Sequence, residues 1–504
     1  MRQLLRILIQ LVLFGGLIAV PGTVTAQESG EERQSQRNVK GRQPSRRGGG
    51  SRLGNYTVPP PAAKEFPVHL FDLMLGRPTD RSVTVCVLTY DEVEGYFEYG
   101  TESGRYTGKT DSIRIQGTEP VDVLISPLAA NTRYYYRWNF RTSGASNFQR
   151  GDEFTFHTQR AVGETFTFTV QSDSHLDENT MPDVYLRTLA NALGDGPDFH
   201  FGLGDTFMTG KYVRPELSHR QYLAQRYYLG HLCHSAAFFF ALGNHDGESG
   251  GRGSQVWATQ TRLSLFPNPV PNHFYSGNER NEAGIGLPEN YYQFERGNGQ
   301  FIVLDPFRYT ARRRGGDGDN WHWSLGETQY RWLKSSLEQS DAKFRFVFLH
   351  HLVGGSDRNS RGGIEAAPFY EWGGQSADGE YDFDRKRPGW GKPIHEMLAE
   401  HGASIVFHGH DHLYVQQQLD GIVYQLVPQP GHARFGNTRS AREYGYVNGV
   451  VQSSSGHVRV RVSADDVRVD YVRTYLPQSE SADRQNGDVS HSYLISGRKD
   501  NKDE

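Results

Sequence analysis

The sequence predicts two folded parts in series, an all-β sandwich followed by a layered α/β domain. Short β-rich runs recur at regular spacing from Phe66 to Thr158, the pattern of a sandwich. From about Thr165 apolar strand-like runs alternate with helical patterns, which indicates layered α/β architecture. Five of those apolar runs end in metal-seeking residues: Asp173-Ser174-His175, Gly204-Asp205, Gly243-Asn244-His245-Asp246, His350-His351 and Gly409-His410-Asp411-His412. Ligands just past strand ends converge on one rim of an α/β sheet.

At 504 residues the chain is long enough for two or three domains with ample core. Its formal net charge of −4 gives no overall pull toward nucleic acid or anionic membrane, so no specific nucleic-acid partner is indicated. Arg2 and Arg6 precede an apolar stretch from Ile7 to Val20 and the small residues Val24-Thr25-Ala26. That is the pattern of a signal peptide over 1–26, and a secreted or periplasmic protein is expected. The stretch is short for a span, Gln10 interrupts it and no Cys follows it, so no stable membrane anchor is expected. Residues 27–62, rich in Arg and Gly and closing on Pro59-Pro60-Pro61, read as a disordered linker. The two cysteines, Cys86 and Cys233, fall in different parts and read as small buried hydrophobes.

The sandwich is expected over 63–160, with strands at Val83–Leu88, Gly95–Tyr99, Val121–Ile125 and Phe154–His157. From Leu128 to Trp138 a turn leads into an alternating aromatic strand, as at a tyrosine corner. The aromatic stripe reads as core packing. The α/β part is expected over 161–475. Phe166, Phe168 and Val170 mark its first strand, and Leu186, Leu189, Ala190 and Leu193 one buried helix face. Further strands are expected at Phe199–Leu203, Ala237–Leu242, Phe301–Leu304, Phe344–Leu349 and Ser404–Phe407. After Asp305 an amphipathic stretch packs through Tyr330, Leu333 and Leu337. Residues 476–504 read as a frayed polar tail.

Hard or borderline cations take carboxylate, imidazole and carbonyl donors, and two cations close together need a bridging carboxylate. Asp173 and His175 are two residues apart, so both side chains can reach one ion, and His410 with His412 repeats that spacing. Asp205, on a turn at Gly204 that allows close backbone approach, is the natural bridge. Asn244 adds a neutral oxygen, and either His350 or His351 a further imidazole.

These five motifs resemble the calcineurin-like metallophosphoesterase superfamily in order, spacing and flanking strands. The preceding sandwich resembles the fibronectin type III-like domain of purple acid phosphatases. The resemblance implies a four-layer α/β/β/α catalytic domain and two divalent or trivalent ions, with Fe, Zn or Mn admitted by N and O donors. It assigns one ion to Asp173, His175, Asp205 and His412, and the other to Asp205, Asn244, His350 and His410. Of the adjacent histidines, the family register selects His350 as ligand and leaves His351 to substrate. The reaction implied is hydrolysis of a small-molecule or polymer phosphate ester by a metal-bridging hydroxide, with His245 as catalytic acid or phosphoryl contact. Purple acid phosphatases usually have Gly at the position of His175 and a coordinating Tyr where this chain has Met208. The exchange keeps the ligand count and removes tyrosinate charge transfer, so a non-purple centre is expected.

The Gly-rich loop from Gly354 to Gly363 leaves the same rim, and its Arg358 and Arg361 can either neutralise phosphate oxygens or lie solvated. Arg312-Arg313-Arg314 is a second basic loop. An acid-phosphatase-like enzyme is the main reading, with a phosphodiesterase or nucleotide hydrolase of the same fold as alternative. A catalytically silent cell-surface binding protein working through its sandwich is the alternative of another class. No oligomeric state follows from the sequence.

Overall fold

The computed structural model describes residues 65–497 apart from 178, 213, 251–252, 312–318 and 433–436. The expected signal peptide, the linker and the Arg312 to Arg314 run lie outside the described residues. No helix among the described residues is long and apolar enough to cross a membrane.

The N-terminal region is all β, with β1 (Phe71–Gly76), β2 (Val83–Thr89), β3 (Val93–Gly100), β4 (Gly108–Lys109), β5 (Ile113–Ile115), β6 (Val121–Ile125), β7 (Arg133–Thr142) and β8 (Gln149–His157). One sheet runs β1-β2-β6 and the other β4-β3-β7-β8, with β5 on β3. Val85 and Val87 from one sheet and Phe97, Tyr136 and Trp138 from the other share one buried core. At the turn before β7 the Tyr134 hydroxyl accepts the Ala129 N–H at 2.8 Å, which is the corner the sequence suggested. β1 was not foreseen, because its run Phe71-Asp72-Leu73-Met74 breaks strict alternation.

The second region opens with β9 (Phe166–Gln171), α1 (Pro182–Gly194), β10 (Phe199–Gly202), α2 (Pro215–Cys233), β11 (Ala237–Phe240) and α3 (Gln255–Leu265). It continues with β12 (Ser276–Gly277), β13 (Tyr292–Arg296), β14 (Gly299–Val303), α4 (Glu327–Gln339), β15 (Phe344–Phe348) and three short helices, α5 (Tyr370–Gly373), α6 (Phe383–Lys386) and α7 (Ile394–Glu400). The last elements are β16 (Ile405–His408), β17 (Leu413–Leu419), β18 (Ile422–Leu426), α8 (Ser440–Glu443), β19 (Val450–Ser453), β20 (Gly456–Val462), β21 (Asp466–Arg473) and β22 (Val489–Ser496). They form a six-stranded sheet, β11-β10-β9-β20-β21-β22, and an eight-stranded sheet, β12-β13-β14-β15-β16-β18-β17-β19.

Phenylalanine at period two explains why the sheets stack. Phe166, Phe168, Phe199 and Phe201 on one sheet meet Phe301, Phe346, Phe348 and Phe407 on the other, and Phe201 stacks on Phe348 at 3.9 Å. The alternate residues of the same strands face outward. Phe238 and Phe240 pack under α1 and α2, while Ile302, Val347 and Val406 pack under α4 and α7. The order is therefore helix, sheet, sheet, helix, with both sheet faces buried.

Two expectations need correction. The buried face of α1 is Val184, Tyr185, Thr188, Leu189 and Ala192, while Ala190 is exposed. Polar groups shift the face: Thr188 Oγ1 donates to the Pro430 carbonyl at 2.6 Å, and the Gln171 amide donates to the Tyr185 hydroxyl at 3.0 Å. Nor is the tail frayed throughout, since β22 pairs antiparallel with β21. Its alternating His491, Tyr493 and Ile495 face inward, and the Tyr493 hydroxyl donates to Gln425 on the other sheet at 3.0 Å.

Both cysteines are free and buried. Cys86 meets α2, where the fully buried Arg226 donates to the Cys86 carbonyl at 3.0 Å. Arg296 likewise donates to the carbonyls of His157 and Thr158 at 3.0 and 2.9 Å. These bonds, with the Tyr136 hydroxyl on the His234 carbonyl at 2.6 Å, dock the β-rich region on the second.

Candidate metal centre

The loops after β9, β10, β11, β15 and β16 meet at one edge of the stacked sheets, and each carries one of the five motifs. Their backbone is unusual there. Asp173, His175, Asp205, His410 and His412 all have positive φ, between 51 and 80°, a region that costs a non-glycine residue free energy unless its surroundings enforce it. Glycines make the crossing possible: a Cβ on Gly409 would overlap the Ser172 hydroxyl, and one on Gly243 would overlap the Asp205 backbone.

Two groups of donor atoms gather, each within 4.8 Å of one another: Asp173, His175 and His412, and Asp205, His350 and His410. Asp205 lies between them. Its Oδ2 is 3.6 Å from His175 Nε2, 3.4 Å from His350 Nε2 and 4.0 Å from His245 Nε2. Asn244 Oδ1 is 3.0 Å from His350 Nε2. The seven residues expected to hold metal thus converge on one place.

The protons of these groups decide what the place can hold. His350 Nδ1 faces the Leu203 carbonyl at 2.7 Å and His410 Nε2 the Asn359 carbonyl at 2.8 Å, and a carbonyl only accepts. Each ring therefore donates outward, leaving lone pairs on His350 Nε2 and His410 Nδ1, which face each other at 3.2 Å. With both rings neutral, as metal binding requires, Asn244 Oδ1 and Asp205 Oδ2 beside them complete a set of four acceptors. The first group repeats the situation. His175 Nδ1 points at Asp177 Oδ2 at 3.3 Å, while His175 Nε2 and Asp173 Oδ1 are buried without a hydrogen-bond partner. Orphaned buried acceptors are expensive, and a cation is what satisfies such a set.

Electrostatics agree. Burial opposes charge on His350, yet Asp205 and Asp173 outweigh it and push the imidazole up to about 9, whereas burial beside His350 pushes His410 down to about 4. Burial also opposes charge on Asp177, but His175 and Lys211 outweigh it and hold the carboxyl far below its usual range. The field of the carboxylates draws positive charge into the rim, and bound cations would displace those protons.

The predicted substrate residues fall differently. His245 borders the rim, its side chain 35% exposed and its N–H donated to Asp205 Oδ1 at 2.7 Å. His351 lies behind the rim, buried edge-on to Phe307 and Trp323, with Nδ1 on the Leu352 carbonyl at 2.9 Å. Arg358 is exposed. Arg361 has its Nε 3.4 Å from Asp411 Oδ1 and its guanidinium 4.0 Å over the Tyr444 ring.

Three supporting acids were not singled out from the sequence. Asp246 accepts four backbone N–H groups, from Asp205, Thr206, Phe207 and Gly243, at 2.7–3.1 Å. Asp411 accepts from Tyr446 and the Gly362 N–H, and Asp177 joins His175 to Lys211 at 2.7 Å. Asp246 and Asp411 were visible inside Gly-Asn-His-Asp and Gly-His-Asp-His, and Asp177 follows His175 by two. Nothing in the spacing marked them as supports rather than ligands.

Residues 166–414 match the family model described as calcineurin-like phosphoesterase. Purple acid phosphatase 22 of Arabidopsis thaliana is 24% identical over 356 residues, 66% of this chain and 63% of that protein. The chain thus aligns with less than two thirds of that relative's length. The solved structure of PhoD superposes with a TM-score of 0.60 at 17% identity, over 88% of this chain and 92% of that one. Purple acid phosphatase PPD1 from yellow lupin (Lupinus luteus) seeds gives 0.54 at 14% identity, over 84% and 74%. At such identities the likeness is one of fold.

Proposed function

Because this chain carries a calcineurin-like phosphoesterase domain over residues 166–414, we propose that it is an exported, acid-phosphatase-like hydrolase of phosphate esters that works with two metal ions. In this reading 63–160 is a fibronectin type III-like module, and the catalytic domain begins at 161 and runs past 475 to include β22. One ion would be held by Asp173, His175, Asp205 and His412, the other by Asp205, Asn244, His350 and His410. The observation that carries it is the gathering of two buried carboxylate and imidazole groups on either side of Asp205, with Asp173 Oδ1 and His175 Nε2 buried without a hydrogen bond.

When bound, the ions supply Lewis acidity toward a phosphoryl oxygen and make water a usable nucleophile near neutral pH. The chain does the rest. Asp205, fixed by the His245 N–H on Oδ1, keeps Oδ2 turned toward both donor groups. His245, adjacent to Asn244 and open to solvent, is placed to give a proton to the leaving oxygen. Arg358, exposed on the rim loop, is the cationic side chain offered to phosphate oxygens, whereas Arg361 would first have to leave Asp411 and the Tyr444 ring.

The test is reconstitution of metal-free protein with Mn, Zn and Fe, assayed on a matched aryl phosphate monoester and diester. Metal-dependent hydrolysis is expected, and the ratio of the two rates separates an acid phosphatase from a diesterase. A folded protein that takes up no metal and hydrolyses neither ester would overturn the reading in favour of a binding protein.

A further inference from the structure

The histidines at the rim differ in what holds their outer nitrogen. His350 and His410 donate to backbone carbonyls, of Leu203 and Asn359, and Asn359 is an exposed residue of the Gly354 to Gly363 loop. His175 donates instead to a carboxylate, Asp177, at 3.3 Å. Asp177 is only 2% exposed, and its second oxygen accepts the Asn179 N–H at 2.9 Å, so it cannot turn away. Lys211 Nζ, 2.7 Å from the oxygen that faces His175, balances its charge. The main chain that carries the ring is fixed as well, since the His175 carbonyl accepts from the buried Gln221 amide and the His175 backbone N–H donates to the Asp205 carbonyl at 3.1 Å.

A carboxylate behind an imidazole fixes its tautomer and makes the opposite nitrogen a better donor to metal, more so than a neutral carbonyl does. From this we propose that Asp177 is a positioning residue which makes the Asp173, His175 and His412 group the tighter of the two metal sites. The inference rests on the two-metal reading above. The partner group, with neutral outer partners and one of them on a glycine-rich loop, is the weaker site. The protein then fills in order, with the Asp173 side occupied first.

Calorimetric titration of metal-free full chain with Mn, paired with electron paramagnetic resonance counting of free ion, reads both steps. The unaltered protein is expected to take up two ions in separable steps. Asp177→Asn should weaken the tighter step by about 10–100-fold and leave the weaker step in place. Asp177→Glu, which keeps a charge beside Lys211, should recover part of the loss. Melting of the metal-free variants establishes that each is folded, and should Asp177→Asn not fold, Asp177→Glu carries the test with a smaller loss confined to the tighter step. Unchanged steps in a folded variant, or equal weakening of both, would overturn the inference while leaving the two-metal reading intact. Uptake of fewer than two ions by the unaltered protein would instead overturn that reading, and the inference with it.

Discussion

The Asp246 carboxylate accepts the backbone N–H of Asp205 at 3.1 Å, and the same oxygen takes the Gly243 N–H at 2.7 Å, tying two motif loops into one rigid corner. Asp246→Asn would set an amide NH2 against N–H groups that now share an acceptor. A loss of about 1–3 kcal/mol in unfolding free energy is expected from the unsatisfied donors. Denaturant unfolding of the metal-free protein measures it, and an unchanged midpoint would refute the role.

His245→Ala should keep both ions and most of the turnover of esters with good leaving groups. On poor leaving groups, where proton donation counts, the rate should fall by about 10²–10⁴. Metal analysis with a leaving-group series distinguishes this from loss of metal.

Acid should destabilise the protein through neutral buried imidazoles. Burial lowers His234, stacked on Phe154 at 4.0 Å, from 6.5 to about 4, and lowers His200, bonded to Thr169, to about 3. Between these values and 6.5 the unfolded chain binds more protons, so the contribution is whole above pH 6.5 and is lost as pH falls through the folded values. His234→Gln should flatten the fall between pH 6.5 and 4 by up to about 3 kcal/mol. Unfolding curves across that range provide the comparison.

Chelation should lower the melting temperature reversibly. An ion present at about 100 times its Kd adds about 2.7 kcal/mol to stability, so the holo-to-apo difference should grow with free metal. Calorimetric scans at several metal concentrations report it.

Iron-loaded protein is expected to lack tyrosinate charge-transfer colour, since the resemblance to purple enzymes sets Met208, which is buried and has no phenolate, at the place of their Tyr. A visible spectrum of the reconstituted protein decides the matter.

Much of this arrangement was legible in the sequence, for definable reasons. Apolar runs such as Ala237–Leu242 and Phe344–Leu349 announced buried strands, and the Asp, Asn and His residues directly after them could only emerge at one edge. What was not legible depended on partners distant in sequence. Tyr185 and Thr188 are buried because Gln171 and Pro430 receive them. β22 is ordered because β21 offers it an edge, although its serines and histidine resemble loop composition. Whether His351 faced the rim or the core turned on Phe307 and Trp323, more than 25 residues upstream.

The pairing of β9 with β20 has a consequence for synthesis. β9, which delivers Asp173, is flanked by β10 on one side and by β20 on the other, and Phe168 pairs with Val460. During translation the open side of β9 waits for nearly three hundred further residues, an interval in which an unpaired apolar edge invites association with other chains. The fold is dominated by such long-range pairings, so slow maturation is expected.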